Sequence, residues 1–176
     1  MKNIEFISDF YRVTGKEYNV KNFVYYFIRK HEIRYLYFYR NKKTLINKMI
    51  FRKLSKKYGI ELLSTKIGKG LYLGHAFCIT VNPEVTIGNN CNIHKGVTIG
   101  QENRGKRKGV PNIGNEVWIG VNATVVGKIK IDDDVLIAPN SYVNIDVPAH
   151  SVVLGNPCKI YSKDKATESY INNKVL

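Results

Sequence analysis

The stretch IGNEVWIGVNATVVGKIKIDDDVLIAPNSYVNIDVP, residues 113–148, repeats every six residues. Written as hexads it reads IGNEVW, IGVNAT, VVGKIK, IDDDVL, IAPNSY and VNIDVP, and each hexad begins with Ile or Val. This period fits neither the 3.6-residue repeat of a helix nor the two-residue alternation of an ordinary strand. It is typical of short strands joined by tight turns, with the first hexad position pointing into a core.

The same pattern covers residues 67–100, where it is interrupted only by the extra pair Ile79 and Thr80. Three hexads close one coil, stacked coils pair strand on strand, and Gly, Asn and Asp gather at the turns. The sequence therefore predicts a mainly β fold, a left-handed parallel β-helix of about four coils. Its first hexad positions are Ile67, Leu73, Val81, Ile87, Ile93, Ile99, Ile113, Ile119, Val125, Ile131, Ile137 and Val143.

A twelve-residue insertion, QENRGKRKGVPN at residues 101–112, separates the two runs of hexads. An insertion in stacked coils must bulge outward as a loop. This one is basic, with Arg104, Lys106, Arg107 and Lys108 around two glycines. The sequence leaves two interpretations open: a solvated loop, or a flap that covers a neighbouring active site or binds anionic groups.

The N-terminal third of the chain has a different composition. Residues 1–60 hold 15 Lys and Arg against 4 Asp and Glu, and most of the aromatic residues. Apolar residues spaced three and four apart predict one amphipathic helix through residues 20–39, and a second helix from about Lys43 to Tyr58 ends at Gly59 in a left-handed cap. We expect a helical subdomain at 1–59, the β-helix at 60–160 and a C-terminal tail at 161–176. The aromatic stripe indicates packing, contact with a membrane surface or, least of all, nucleic acid.

Composition narrows the function classes further. The chain has 176 residues, room for one core and no second cofactor-sized domain. Cys78, Cys91 and Cys158 are odd in number and lack a CxxC spacing, and the sequence shows no leader and no transmembrane run. These features predict a cytoplasmic protein, with the inner face of a membrane as an alternative location.

Three stretches, IGKGLYLGHAFCITVNPEVTIGNNCNIHKGVTIG, GVPNIGNEVWIG and SVVLGNPCKI, resemble the hexapeptide-repeat acyltransferases, and within them the serine acetyltransferase-like branch. The resemblance implies a homotrimer that uses acetyl-CoA without a metal. It implies that His75 is the catalytic base, that Gly120 and Ala138 line the pantetheine path, and that Lys159 lies near the nucleotide phosphates. Trp118 is interpreted as a groove wall or an interface residue.

Two further candidates come from counting residues. With the two-residue bulge included, an 18-residue coil places His75 beneath Lys95 and beside His94, so His94 is a candidate catalytic residue. The branch also has a carboxylate about 15 residues before its histidine. Glu61 lies 14 residues before His75, and it is our candidate for the group that orients the base.

The departures from the branch suggest the acceptor. Serine acetyltransferases resembling this chain place an acid before the catalytic histidine and an Arg-His pair before the proline; here Gly74, Gly109 and Val110 stand there. We therefore expect an O-acetyltransferase acting on a sugar hydroxyl in surface polysaccharide synthesis, with serine O-acetyltransfer or sugar N-acetyltransfer as alternatives.

Two other classes are weaker interpretations. A γ-class carbonic anhydrase would need three convergent histidines, and only His75 and His94 of the four histidines are expected to lie close together. A non-catalytic scaffold that binds polyanions would use the basic helical third.

Overall fold

The computed structural model describes residues 3–63 and 66–176. Helices occupy the first third and short strands the remainder. The helices are α1 (Ile4–Thr14), α2 (Val20–Arg29), α3 (His31–Arg40) and α4 (Leu45–Tyr58). The strands are β1 (Glu61–Leu62), β2 (Tyr72–Gly74), β3 (Thr80–Val81), β4 (Thr86–Ile87), β5 (Asn92–His94), β6 (Thr98–Gly100), β7 (Asn112–Ile113), β8 (Trp118–Ile119), β9 (Thr124–Val126), β10 (Lys130–Ile131), β11 (Val135–Ile137), β12 (Tyr142–Val143), β13 (Ser151–Leu154) and β14 (Lys159–Ser162).

The strands form three sheets that the chain visits in rotation. The first sheet has the order β1-β3-β6-β9-β12, the second β10-β7-β4, and the third β14-β13-β11-β8-β5-β2. Neighbouring strands are parallel, apart from the antiparallel pair of β13 and β14. Because consecutive strands from β3 to β12 lie in different sheets, each coil has three sides, as the hexad pattern predicts.

The coil interior is built from the first hexad positions. Leu73 pairs with Ile93, and Ile93 with Ile119, so that aliphatic side chains stack from one coil to the next. All twelve first-position residues are buried, each at most 4% exposed. Burial of such aliphatic side chains contributes about 1.5–3 kcal/mol each, so this column is a large source of stability. The predicted core is confirmed.

The single helix predicted through residues 20–39 is wrong. Lys30 has an extended backbone, with φ −111° and ψ 112°, and separates α2 from α3. The Arg34 guanidinium donates hydrogen bonds to the carbonyls of Phe27 and Ile28, both at 2.7 Å, and so satisfies the end of α2. The predicted stripe is divided as a result. Its exposed members are Val20, Val24 and Ile28, and its fully buried members are Tyr35 and Tyr39.

The helices are fixed to the first coil by a buried ion pair. Arg40 Nε donates to Asp9 Oδ2 at 2.8 Å, which joins α3 to α1. Arg40 also donates to the carbonyl of Ile67 at 2.8 Å, and the backbone amide of Leu71 donates to Asp9 at 2.7 Å. Helices and coils consequently share one continuous hydrophobic core. The left-handed cap predicted at Gly59 is present, with φ 63°.

Residues 163–176, which we call the C-terminal strap, run back over the third sheet. The first part of the strap is held by Asp134 of the β-helix, whose carboxylate accepts hydrogen bonds from the Thr167 amide at 2.9 Å and the Thr167 hydroxyl at 2.7 Å. It ends against Asn90, which exchanges two hydrogen bonds with the Val175 backbone. Strand β14 crosses the boundary predicted at residue 160.

The basic insertion folds back onto the coil. The amide of Lys128 donates to the Arg107 carbonyl at 2.8 Å, and the Arg107 guanidinium pairs with Glu102 at 3.0 Å. Arg104, Lys106 and Lys108 are exposed. The function of this loop as a flap stays a prediction.

Candidate active site

His75 lies at the turn where β2 ends, with an exposed side chain. Its backbone is left-handed, with φ 50°, a conformation that few residues other than glycine adopt. The neighbouring coil holds this turn: the Lys95 amide donates to the Gly74 carbonyl at 2.8 Å, and the Gly96 amide to the Phe77 carbonyl at 3.1 Å. The imidazole is therefore presented outward from a fixed backbone.

The helical subdomain braces the same turn from the other side. His31 Nε2 lies 3.3 Å from the Ala76 carbonyl, and the Cys78 amide donates to the Tyr58 carbonyl at 3.0 Å. The Phe77 ring packs 4.7 Å from the His31 ring. In the sequence His31 is only one position of the helix predicted through residues 20–39, because its partner Ala76 is 45 residues away along the chain. The helices thus position the residues that follow His75.

His94 occupies the place beside His75 that the coil count predicts. It pairs with Gly74 across the β2–β5 ladder, and its ring lies 4.6 Å from the Trp118 ring. Its Nε2 is buried and has no hydrogen-bond partner within residues 3–63 and 66–176. Burial, followed by the nearby His75, lowers the pKa of His94 to about 4, so this imidazole is neutral at physiological pH.

Gly74 leaves room for the His94 ring. A Cβ atom at residue 74 would lie 2.2 Å from His94 Nδ1 and 2.4 Å from its Cε1. An acidic side chain at residue 74 and the observed His94 ring position are therefore mutually exclusive. Glycine at residue 74, where the serine acetyltransferase pattern has an acid, is therefore compatible with the observed position of the His94 ring.

We expect Gly74→Ala to lower the free energy of unfolding by about 1–3 kcal/mol, because the new methyl group overpacks against His94. Urea unfolding of the variant measures the loss. The double variant Gly74→Ala/His94→Ala, in which the ring is absent, should lose clearly less than the sum of the two single changes. Simple additivity would contradict the proposed clash.

A row of residues at the end of the third sheet contains three of the predicted acetyl-CoA contacts. Four members of the row each follow one of the paired core positions Ile93, Ile119, Ile137 and Val153 by one position, and Lys159 joins the row by pairing with Leu154. From His75 outward the row is Gly74, His94, Gly120, Ala138, Leu154 and Lys159. Gly120 and Ala138 keep its middle free of bulky side chains, and Lys159 places an exposed cation at the far end. These residues fit an extended ligand with an anionic terminus, as acetyl-CoA is.

The structure does not bring Trp118 into this row. Trp118 pairs with Asn92 and Leu136, two residues earlier along the strands. Its ring packs between His94, at 4.6 Å, and Tyr170 of the C-terminal strap, at 5.2 Å. Trp118 therefore lies under the strap within one subunit, and a contact with acetyl-CoA stays a prediction.

Glu61 lies on the outward face of β1, between the buried Ile60 and Leu62. It pairs with Thr80 in the first sheet, and its amide donates to the Ile79 carbonyl at 2.7 Å. In the described part of the chain Glu61 and His75 share neither a hydrogen bond nor an ion pair. The orienting function of Glu61 stays a prediction without a contact to support it.

Neither a metal site nor a membrane span is found among the described residues. No group of three His, Cys, Asp or Glu side chains there is arranged to hold a metal ion. Every described helix is too short or too polar to cross a membrane.

Comparison with known proteins connects this geometry to a family. Residues 111–144 match the family described as bacterial transferase hexapeptide (six repeats). A serine acetyltransferase of Staphylococcus aureus is 36% identical over 126 residues, which are 70% of this chain and 59% of that protein. Its Staphylococcus epidermidis counterpart is 36% identical over 128 residues, 72% of this chain and 60% of that protein.

The resemblance to the serine acetyltransferase-like hexapeptide acyltransferases is confirmed. Solved structures agree: the soybean serine acetyltransferase apoenzyme has a TM-score of 0.64 at 26% identity, with 89% of this chain and 67% of that one covered. The Neisseria gonorrhoeae serine acetyltransferase, solved with serine, has a TM-score of 0.58 at 32% identity, with 77% and 55% covered. These neighbours imply that the three-sided coil is a left-handed β-helix with an N-terminal helical region. The chain spans about three fifths of the length of the curated relatives it matches.

The comparisons do not support two finer expectations. The relatives are named for serine and not for sugars, so a polysaccharide acceptor has no support from them. They likewise give no support to attachment at a membrane surface.

Proposed function

We propose that this chain is an acetyl-CoA-dependent O-acetyltransferase in which His75 is the general base. The single observation that supports it most is the position of His75, exposed at a braced turn at one end of the row that leads past Gly120 and Ala138 to Lys159. The acyltransferase relatives favour the same reaction class.

The chemistry assigned to His75 follows from its acid–base properties. An acceptor hydroxyl has a pKa far above neutrality and needs a base as its oxygen bonds to the thioester carbonyl carbon. Imidazole titrates near neutral pH, so His75 can accept that proton. As the carbon–sulfur bond breaks, the resulting imidazolium returns the proton to the departing thiolate. In this mechanism His75 leaves each cycle unchanged.

For the acceptor we propose serine, the alternative named in the sequence analysis. The proposal is supported by the names of the relatives and by a neighbour solved with serine. We also propose a homotrimer, in line with the resemblance.

The test is a transfer assay with purified protein, acetyl-CoA and L-serine, in which release of free CoA thiol is followed and O-acetylserine is identified by mass spectrometry. We expect serine-dependent thiol release well above the rate of acetyl-CoA alone. Transfer to amines only would contradict an O-acetyltransferase. Transfer to a hydroxyl compound other than serine would retain the reaction class and replace the acceptor.

A further inference from the structure

A polar cavity of about 270 Å³ lies between the third sheet, helix α1 and the C-terminal strap. One wall is the sheet face, one is the end of α1, and the roof is the strap. Its principal lining residues are Arg12, Tyr72, Asn92, His94, Trp118 and Tyr170. The cavity shares only His94 with the row that leads to Lys159.

Arg12 is a buried cation without a carboxylate partner in the described structure. It is 3% exposed, and its guanidinium donates to the Gly70 carbonyl at 3.0 Å and to the side-chain oxygen of Asn92. The nearby carboxylates are already paired, Asp9 with Arg40 and Glu116 with Lys174. A buried charge is costly unless an opposite charge compensates it, so this cavity favours an anion.

His94, which lines the same cavity, carries a polar atom without a hydrogen-bond partner in the described structure. Its buried Nε2 has no partner in the part of the chain that the structure describes, although buried polar atoms in folded proteins are nearly always hydrogen-bonded. The Asn92 side chain beside it donates to the Tyr170 carbonyl of the strap at 3.2 Å. A ligand in the cavity is the simplest partner for both Arg12 and His94.

We propose that this cavity binds the carboxylate of a small organic anion, with Arg12 as the cation and His94 as a hydrogen-bonding partner. The charge decides the class of ligand. The lining carries one guanidinium charge beside neutral rings and amides, which matches one carboxylate and leaves a phosphate dianion undercompensated. The aromatic rings of Trp118 and Tyr170 enclose the organic part.

The carboxylate has two possible sources, the acceptor itself or a separate effector. Carboxylate binding in this cavity is independent of the proposed transfer reaction, because it is measured with no acetyl-CoA present. Loss of transfer activity therefore would not overturn it, and loss of binding would not overturn the reaction class.

Isothermal titration calorimetry with L-serine, D-glycerate, L-serinamide and inorganic phosphate tests the ligand class. We expect L-serine and D-glycerate, which carry a carboxylate, to bind, and serinamide, in which a neutral amide replaces it, to bind at least about tenfold more weakly. Binding of phosphate without binding of either carboxylate, or equal binding of serine and serinamide, would overturn the proposal.

The cation is tested with Arg12→Gln and its matched control Arg52→Gln, a change at an exposed arginine of α4. We expect Arg12→Gln to weaken carboxylate binding by about tenfold or more and Arg52→Gln to leave it unchanged. Circular dichroism shows whether Arg12→Gln folds. Equal affinity in a folded Arg12→Gln variant would exclude Arg12 as the binding group.

A measurement on the unmodified protein keeps the test valid if Arg12→Gln fails to fold. The ring-proton resonance of His94, assigned by its loss in His94→Asn, should shift on addition of D-glycerate and stay in place with serinamide. A resonance that D-glycerate does not move at tens of millimolar would contradict binding in this cavity. D-glycerate is then added to the transfer assay. If it competes with the acceptor, the cavity is part of the acceptor site. If it lowers kcat at constant acceptor KM, the cavity is an effector site.

Discussion

Replacing His75 with asparagine is expected to lower kcat by about 10²- to 10⁴-fold, the contribution that a positioned general base makes. Asparagine is chosen because it adopts left-handed backbone conformations more readily than other non-glycine residues, and His75 has φ 50°. The amide side chain cannot accept a proton at neutral pH. The variant therefore removes the base and keeps the turn.

The matched control is His150→Asn. His150 is also an exposed histidine with a left-handed backbone, φ 56°, but its ring contacts Asp134 at the start of the strap, away from the row of residues beside His75. We expect this variant to retain kcat. Steady-state kinetics with acetyl-CoA and the working acceptor give the comparison, and thermal unfolding verifies both folds. Undiminished turnover in His75→Asn, or an equal loss in His150→Asn, would exclude the base function.

The β-helix could be predicted from the sequence because its constraint repeats. Each hexad places one aliphatic residue in the interior. Because the coils stack in register, the next coil needs an aliphatic residue at the same position, as Ile93, Ile119 and Ile137 show. Counting in units of one coil also placed His94 beside His75, because parallel pairing preserves register. Such predictions need no knowledge of side-chain packing.

The helical region could not be predicted as well because its packing is not periodic. Lys30 breaks the helix although no glycine or proline marks the position, and the break accompanies the packing of Phe27 of α2 against Tyr37 of α3, with ring centroids 5.7 Å apart. Arg12 carries no motif, and its burial depends on Gly70, 58 residues away. The Trp118 ring likewise packs against Tyr170 of the strap, and the hexad pattern does not extend to the strap.

Arg40→Met is expected to lower the free energy of unfolding by about 3–5 kcal/mol, the loss typical when one partner of a buried ion pair is removed. Asp9 is fully buried, and burial raises its pKa to about 6 even with Arg40 beside it. Methionine preserves much of the volume but leaves the Asp9 carboxylate without its cation. It also removes the hydrogen bonds to the carbonyls of Ile67 and Gly68, which attach α3 to the first coil.

The pH dependence separates the charge from the packing. A carboxyl whose folded pKa exceeds its unfolded value of 3.8 binds more protons when folded, so its destabilising effect grows as pH rises through the folded pKa. Without Arg40 that pKa rises further, and the deficit of Arg40→Met relative to the parent should be larger near neutral pH than near about pH 5. Urea unfolding at both pH values measures this difference in unfolding free energy.

The double variant Asp9→Asn/Arg40→Met should recover part of the loss near neutral pH, because an uncharged amide replaces the uncompensated carboxylate. An equal deficit at both pH values, with no recovery in the double variant, would show that lost packing and backbone hydrogen bonds, and not the unpaired charge of Asp9, cause the instability.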